Sequence, residues 1–549
     1  MKEVLCIRGF GLKLRLPNPK PIVNCKIYFY GVEFPLMTRN IPHSNLITLF
    51  FTALLFSVPT VSFAKVKEEG VSSFRKSIIK ILSNPCLQKN NYGVKIYSLD
   101  RAETLYEVRS DQLFIPASNA KILTTAVALK YLGHNYRFYT RLYTDGVLEN
   151  STLAGNLYIK GSGDPKLVTE QLWLLVNELR NLPIKKIEGN IIGDDSFFDE
   201  KKRLKTWVKN PGAQAYEAPL GALSFNFNTI KVYVAPGKMI GDRPIIVIEP
   251  NNKYIKIENN AYTLKPGIRN RLIVNRIDKK NHDLINVSGG INLGQPRAQY
   301  FLNITNPTQY TLNVLKSYIK LAGIKFNGKL QMGNLPENAV EIYSHESEPL
   351  ALALRGLNKF SNNFIAEQIV KTIGAEHFGQ PGSTKKGLDV FKEYLKELGI
   401  EPNKYVVFDG SGLSRQNRLS PKILVDILRN VKNDVTVYPE FIAALGIMGV
   451  DGNVKDRMRK VESPGKARVK TGTLNFVSTL SGFFESKEGE LFAFSILMND
   501  LKCSNGRAKK IQDQIIKKGL NFRRVPPGSI FMEDKTNSQQ SEVSTPSSK

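Results

Sequence analysis

The chain has 549 residues, 42% of them hydrophobic, which is enough to bury a substantial core in about two to four domains. Its formal charge of +28 points to anionic surroundings, either nucleic acid or a polyanionic surface. The cations are scattered, however, and no zinc-finger spacing, aromatic RNA-binding motif or dense basic block accompanies them, so nucleic acid is set aside in favour of a solvated basic surface.

In chain order, residues 46–58 form an apolar run with the length of a signal-peptide core, short for a membrane span. Ser62 and Ala64 then supply the small residues a signal peptidase reads, which predicts cleavage after Ala64 and an exported protein, periplasmic or in the cell envelope. The lead-in is long for such a signal. Met37 followed by Arg39 would start a compact one, making residues 1–36 an over-extended reading frame. Without residues 1–64 the charge is still about +23 by the same count, so basicity belongs to the folded protein. Cys6 and Cys25 fall in the leader. Cys86 and Cys503 remain, and a disulfide between them and two unpaired buried thiols are both open.

Residues 71–82 carry apolar positions at helical spacing, an amphipathic helix. Residues 92–99 and 104–108 read as a β-hairpin, and a helix follows from about Ser118 to 129. From 138 to 326 many short β-rich runs alternate with Gly, Asn, Asp and Pro clusters, with helix-like runs near 169–181 and 308–322; this predicts one or two mainly β domains. Helical pattern returns over 351–357, 363–373 and 388–398. Strands are expected at 467–473, 476–484 and 490–498, and a helix at 505–518. Residues 526–549 are rich in Ser, Thr, Gln and Glu and are expected to be disordered.

The stretch 115–129 carries the sharpest chemistry. Pro116 and Ser118 are helix-start residues, and Lys121 lies three positions after Ser118, on the same helical face. A hydroxyl beside an amine is the geometry of a nucleophile with its base. The rest of the helix is apolar nearly all round, which predicts burial and a partly desolvated lysine. Ser-x-x-Lys alone is weak, since it recurs at Ser62, Ser73, Ser317, Ser383 and Ser463. Ser73 and Ser317, with their lysines, are explained by surface faces of amphipathic helices. Lys470-Thr471-Gly472 occurs once, in a run that alternates like an edge strand; with Thr473 it would offer an ammonium, hydroxyls and backbone hydrogen bonds to an extended peptide ending in a carboxylate. A polar strand end explains it equally well. Ser361-Asn362-Asn363 sits between two helical segments; Ser-x-Asn recurs at Ser224–Asn226, and a loop cap accounts for either alone.

Order and spacing change this balance. Ser118 with Lys121, then Ser361 with Asn363, then Lys470 to Gly472 is the ordered set of penicillin-binding proteins and serine β-lactamases. The long gap between the first two motifs resembles the D-alanyl-D-alanine carboxypeptidase/endopeptidase family typified by penicillin-binding protein 4 (peptidase family S13), as do the runs Asp409 to Arg415 and Gly161 to Pro165. The resemblance implies an α+β, β-lactamase/transpeptidase-like catalytic domain, an antiparallel sheet flanked by helices, with the mainly β domains inserted between the first and second motifs. The plan is then leader 1–64, catalytic part 65–136, insertion 137–328, catalytic part 329–525 and tail 526–549.

It also implies roles. Ser118 would be the acylated nucleophile and Lys121, if neutral at rest, its base. The N–H groups of Ser118 and Thr473 would form the oxyanion hole. Ser361 would relay a proton to the leaving D-alanine, Asn363 would bind a substrate carbonyl, and Thr471, Gly472 and Thr473 would receive the terminal carboxylate beside Lys470. Arg415 resembles the family arginine that binds a carboxylate on the stem peptide's diamino-acid side chain; a surface arginine closing a turn is the alternative. Asp164 is explained by an ordinary turn, and no acidic residue of the insertion stands out as a site for the substrate amine. No metal or organic cofactor is expected, the five histidines having no ligand spacing. Expected partners are peptidoglycan stem peptides, β-lactams as covalent inhibitors, anionic envelope polymers and a second copy in a homodimer; nucleic acid is not expected. A serine β-lactamase and a catalytically idle wall-binding protein are the rival readings.

Overall fold

The computed structural model describes residues 25–29, 32–36, 58–207, 212–459 and 465–525. Met37, residues 46–57 of the expected export signal and the tail 526–549 lie outside the described residues, and Ala64 falls within helix α1 (Val58–Leu82). Strands Cys25–Phe29 and Val32–Leu36 pair antiparallel in one contact unit; residues 71–523 form the other.

That second unit is organised by an antiparallel six-stranded sheet. Its strands are β1 (Tyr92–Ser98), β2 (Glu103–Val108), β3 (Gly446–Ile447), β4 (Ala467–Leu474), β5 (Val477–Glu485) and β6 (Leu491–Met498), in the order β3-β4-β5-β6-β1-β2. β5 and β6 are buried along almost their whole length because both faces are covered, while the edge strand β2 is partly exposed. On one side Phe484, Phe492, Phe494 and Ile496 pack with Phe74 and Ile78 of α1 and Ile511 and Ile515 of the last helix, Asn505–Leu520. On the other, Phe483, Ala493 and Leu497 meet helices Ala120–Tyr131 (α2), Leu350–Lys359 (α3), Asn363–Phe378 (α4) and Pro421–Asn433 (α5). The period-2 pleat thus splits one strand between two cores. The α5 helix escapes the sequence reading, although Ser420 caps it by accepting the Ile423 N–H and Pro421 opens it.

The expected disulfide alternative is the one present: Cys86 is bonded to Cys503, with the two Cα atoms 5.1 Å apart.

Between α2 and α3 the chain builds a separate apolar core. A five-stranded sheet in the order Leu330–Met332, Ile191–Asp194, Leu157–Gly161, Tyr139–Thr144, Val340–Glu346 backs onto helices Thr169–Asn181 and Pro307–Leu321. Three of its strands run parallel, so this half is α/β in character, with the mainly β character confined to the smaller sheets. Those are a four-stranded sheet of very short strands and two three-stranded sheets, Ile245–Glu249/Thr229–Ala235/Ala298–Asn303 and Ile255–Leu264/Asp283–Asn292/Ile273–Asp278. Strand Val340–Glu346 belongs to the inserted sheet although it lies beyond residue 328, where composition alone ends the insertion; we propose the junction near Ser347 instead.

Candidate active site

Residues Ala117–Asn119 form a single 3-10 turn that runs directly into α2. Ser118 therefore sits inside the helical entry rather than capping it, and its hydroxyl makes no cap bond. The turn is pinned to β5: Asn119 Nδ2 donates to Ser481 Oγ at 2.6 Å, and Thr479 Oγ1 donates to the Pro116 carbonyl at 2.9 Å. β4 crosses closely beside it. A Cβ on Gly472 would lie 2.1 Å from Thr479 Oγ1 and 2.9 Å from the Ser118 nitrogen, so only glycine lets the strand approach the serine backbone.

Lys121 is fully buried. Its Nζ lies 3.1 Å from Ser118 Oγ, 2.7 Å from Asn363 Oδ1 and 2.5 Å from the Ser411 carbonyl. A neutral amine has two N–H bonds and one lone pair, so two acceptors and one hydroxyl satisfy it completely. Burial brings its pKa down to about 7 against the pull of Asp409 and Glu367.

Asn363 opens α4, and Glu367 follows one turn later on the same face. Glu367 is buried and reaches Lys121 indirectly: its Oε1 accepts the Ser411 N–H at 2.7 Å, and the carbonyl of Ser411 is the one on Lys121. Burial and the neighbouring Asp409 push this carboxyl up to about 8, so it is mostly protonated at neutral pH. Asp409 ties the loop that follows it, accepting from Gly412 N–H, Ser414 N–H, Asn417 Nδ2 and, from the insertion, Trp207 Nε1 at 3.0 Å.

Ser361 adopts φ +59°, a left-handed conformation uncommon outside glycine. Its hydroxyl accepts from Lys470 Nζ at 2.9 Å, and Lys470 also donates to the Thr471 carbonyl at 2.7 Å. Burial holds the Lys470 amine well below its ordinary value, and the charge of Lys121 adds to the effect. β3 pairs only with Arg468 and Val469, so among the described residues the same edge of β4 has no strand beside it from Lys470 onward.

These groups open onto a cleft of about 520 Å³ that is lined by Ser118, Ser361, Asn363, Thr471, Thr473 and Arg415. Arg415 is exposed and donates through Nη1 to the Asn475 carbonyl at 3.0 Å. The insertion contributes Trp207, Tyr216 and Glu217 to the same wall, and Asn363 Nδ2 donates to the Tyr216 carbonyl at 3.1 Å. Sequence reasoning missed these three; no local pattern marks them. Glu367 did carry a signal, its four-residue spacing from Asn363.

The look-alike motifs whose side chains the structure describes lie elsewhere. Ser73 and Lys76 are exposed, Ser317 donates back to Asn313 within its helix, Ser383 caps helix Thr384–Glu397, and Ser463 is outside the described residues. Ser224 donates to the Gly221 carbonyl in a buried turn, and Asp164 accepts the Lys166 N–H in another. Among the described residues there is no cluster of three His, Cys, Asp or Glu side chains able to hold a metal.

An antiparallel sheet sandwiched by helices, with a buried helix ending at its centre, is the β-lactamase/transpeptidase-like catalytic fold. More specifically, residues 74–519 match the family model for the D-Ala-D-Ala carboxypeptidase 3 (S13) family, and the chain belongs to that family. It is 29% identical over 478 residues to a D-alanyl-D-alanine carboxypeptidase of Actinomadura sp., covering 84% of this chain and 87% of the relative. It is 26% identical over 473 residues to the D-alanyl-D-alanine carboxypeptidase DacB of Haemophilus influenzae, covering 84% and 95%. The crystal structure of penicillin-binding protein 4 from Haemophilus influenzae superposes with a TM-score of 0.70 at 25% identity, covering 80% of this chain and 98% of that one.

Proposed function

We propose that Ser118 is the acylated nucleophile of a D-Ala-D-Ala carboxypeptidase acting on peptidoglycan stem peptides, and that β-lactams acylate the same hydroxyl. The observation that carries this reading is the position of Lys121: its Nζ lies 3.1 Å from Ser118 Oγ, and in the neutral amine Asn363 Oδ1 and the Ser411 carbonyl would take both N–H bonds and leave the lone pair for that hydroxyl. Lys121 removes the hydroxyl proton as Oγ attacks the carbonyl of the penultimate D-alanine. The developing oxyanion is received by the N–H groups of Ser118 and Thr473. On collapse the C–N bond breaks, and the leaving amine takes a proton through Ser361, which Lys470 orients. Water then attacks the ester, and Ser118 recovers its proton.

The unpaired edge of β4 suits an extended peptide, with Thr471 and Thr473 at its carboxylate and Asn363 at its carbonyl. Arg415 is proposed to meet a carboxylate further along the stem peptide. Export is part of the proposal, with cleavage after Ala64; N-terminal sequencing of the mature protein checks it.

Release of D-alanine from muropeptides, compared with cleavage of cross-linked dimers, tests the activity and separates carboxypeptidase from endopeptidase. Ser118→Ala is expected to abolish both hydrolysis and labelling by fluorescent penicillin. A labelled Ser118→Ala protein would refute the assignment, and rapid turnover of penicillin would point to a β-lactamase.

A further inference from the structure

The insertion carries a second feature, remote from the cleft lining, at the end where two of its sheets turn. Strand Thr229–Ala235 returns into Ile245–Glu249 through residues 236–244, and Ile255–Leu264 returns into Ile273–Asp278 through 265–272. The first loop is fastened to the root of the second. Gly241 N–H donates to the Thr263 carbonyl and Thr263 N–H to the Asp242 carbonyl, each at 2.9 Å, and Gly237 N–H donates to Thr263 Oγ1 at 2.8 Å. The second loop is held by Arg271 N–H on the Gly290 carbonyl and Asn292 Nδ2 on the Ile268 carbonyl, each at 2.9 Å. Both loops are thus rigidly presented at one end.

The surface they present is apolar and basic together. Met239 and Ile240 are 67% and 53% exposed on the first loop, and Ile268 is 45% exposed on the second. Where the strands leave the loops, Ile245, Tyr262 and Ile273 are exposed as well. Tyr262 and Ile273 flank one strand on the same face, opposite Gly290 and Ser288. Scattered exposed apolar residues are normal; six at one end are not. The first loop adds Lys238 and Arg243 and the second Lys265, Arg269 and Arg271, all exposed and without an ion pair among the described residues. The one carboxylate there, Asp242, is taken up by the Met239 N–H at 2.8 Å.

We propose that this end docks on an anionic phospholipid surface, the apolar tips entering the headgroup–acyl boundary while the cations meet lipid phosphates. A soluble polyanion would engage the cations and offer the apolar tips nothing to enter. A second copy would bring like charges together. Among the described residues no helix is long and apolar enough to cross a membrane.

The test is co-sedimentation of the full chain with vesicles of phosphatidylglycerol and phosphatidylethanolamine, against phosphatidylcholine alone. Binding to the anionic vesicles only is expected. Met239→Ser with Ile268→Ser should weaken it by about tenfold per side chain. Lys265→Glu, Arg269→Glu and Arg271→Glu should weaken it by about fivefold per cation. An unchanged thermal midpoint shows that each variant is folded, whatever its activity. Equal sedimentation with both vesicles would overturn the proposal. So would binding that ignores the apolar substitutions and is matched by soluble poly(glycerol phosphate), or vesicle-free self-association that the apolar substitutions abolish.

Discussion

Lys121 and Lys470 are fully buried and each is wedged among named oxygen atoms, whereas Lys265, Arg269 and Arg271 stand in solvent without a carboxylate partner among the described residues. In the cleft, low dielectric makes each ångström matter, and burial drives the amines toward neutrality. At the far loops, water and salt screen each charge, and only the sum of several can hold a surface. The same residue types therefore serve as position-sensitive chemistry in one region and as an additive field in the other. A swap of lysine with arginine separates the two uses.

Lys121→Arg should give the largest effect. Arginine keeps the charge but cannot act as a base, so acylation by fluorescent penicillin should fall by about a thousandfold or more. Arg269→Lys with Arg271→Lys should leave vesicle binding within about twofold, because the field counts charges. If Lys121→Arg kept its acylation rate, the contrast would collapse. In the wild type, protonated Lys121 is no base, so acylation should rise with pH through about 7 and level off above it.

Gly472→Ala comes next. The added methyl would fall 2.1 Å from Thr479 Oγ1, so β4 must retreat from Ser118; a loss of about 1–3 kcal/mol in thermal or denaturant unfolding is expected, with slower acylation. Within the cleft the smallest effect is expected for Glu367→Gln. A carboxyl already protonated at neutral pH loses little by becoming an amide that still accepts the Ser411 N–H, so acylation at pH 7 should stay within about threefold. Glu367→Ala, which leaves that N–H unpaired, should cost about tenfold.

The catalytic elements were legible because each is written locally. The run from Ala467 to Leu474 reads as a strand with one edge open beyond Val469, and the helix carrying Lys121 is apolar nearly all round because it is buried from Ala120 to Leu129. Ser361 and Asn363 needed the other motifs, since a loop serine and asparagine are individually unremarkable in any sequence. The insertion was read less well. The parallel strands of its five-stranded sheet are too short to display a period, and Val340–Glu346 returns to a sheet begun by Tyr139–Thr144, a pairing that no local pattern records. Trp207 stayed hidden for a related reason: its indole N–H finds Asp409 only after two distant segments fold together. The Cys86–Cys503 bond is likewise a tertiary fact.

The pairing of β1 with β6, Tyr97 opposite Ala493, sets an order of events in time. A chain that emerges N-terminus first delivers Ser118 and Lys121 early, and β4, β5 and β6 last. Until those strands arrive, no glycine edge lies against the serine backbone. The nucleophile proposed above, Ser118, thus lacks its full setting through most of synthesis. The last strands to be made complete the proposed site.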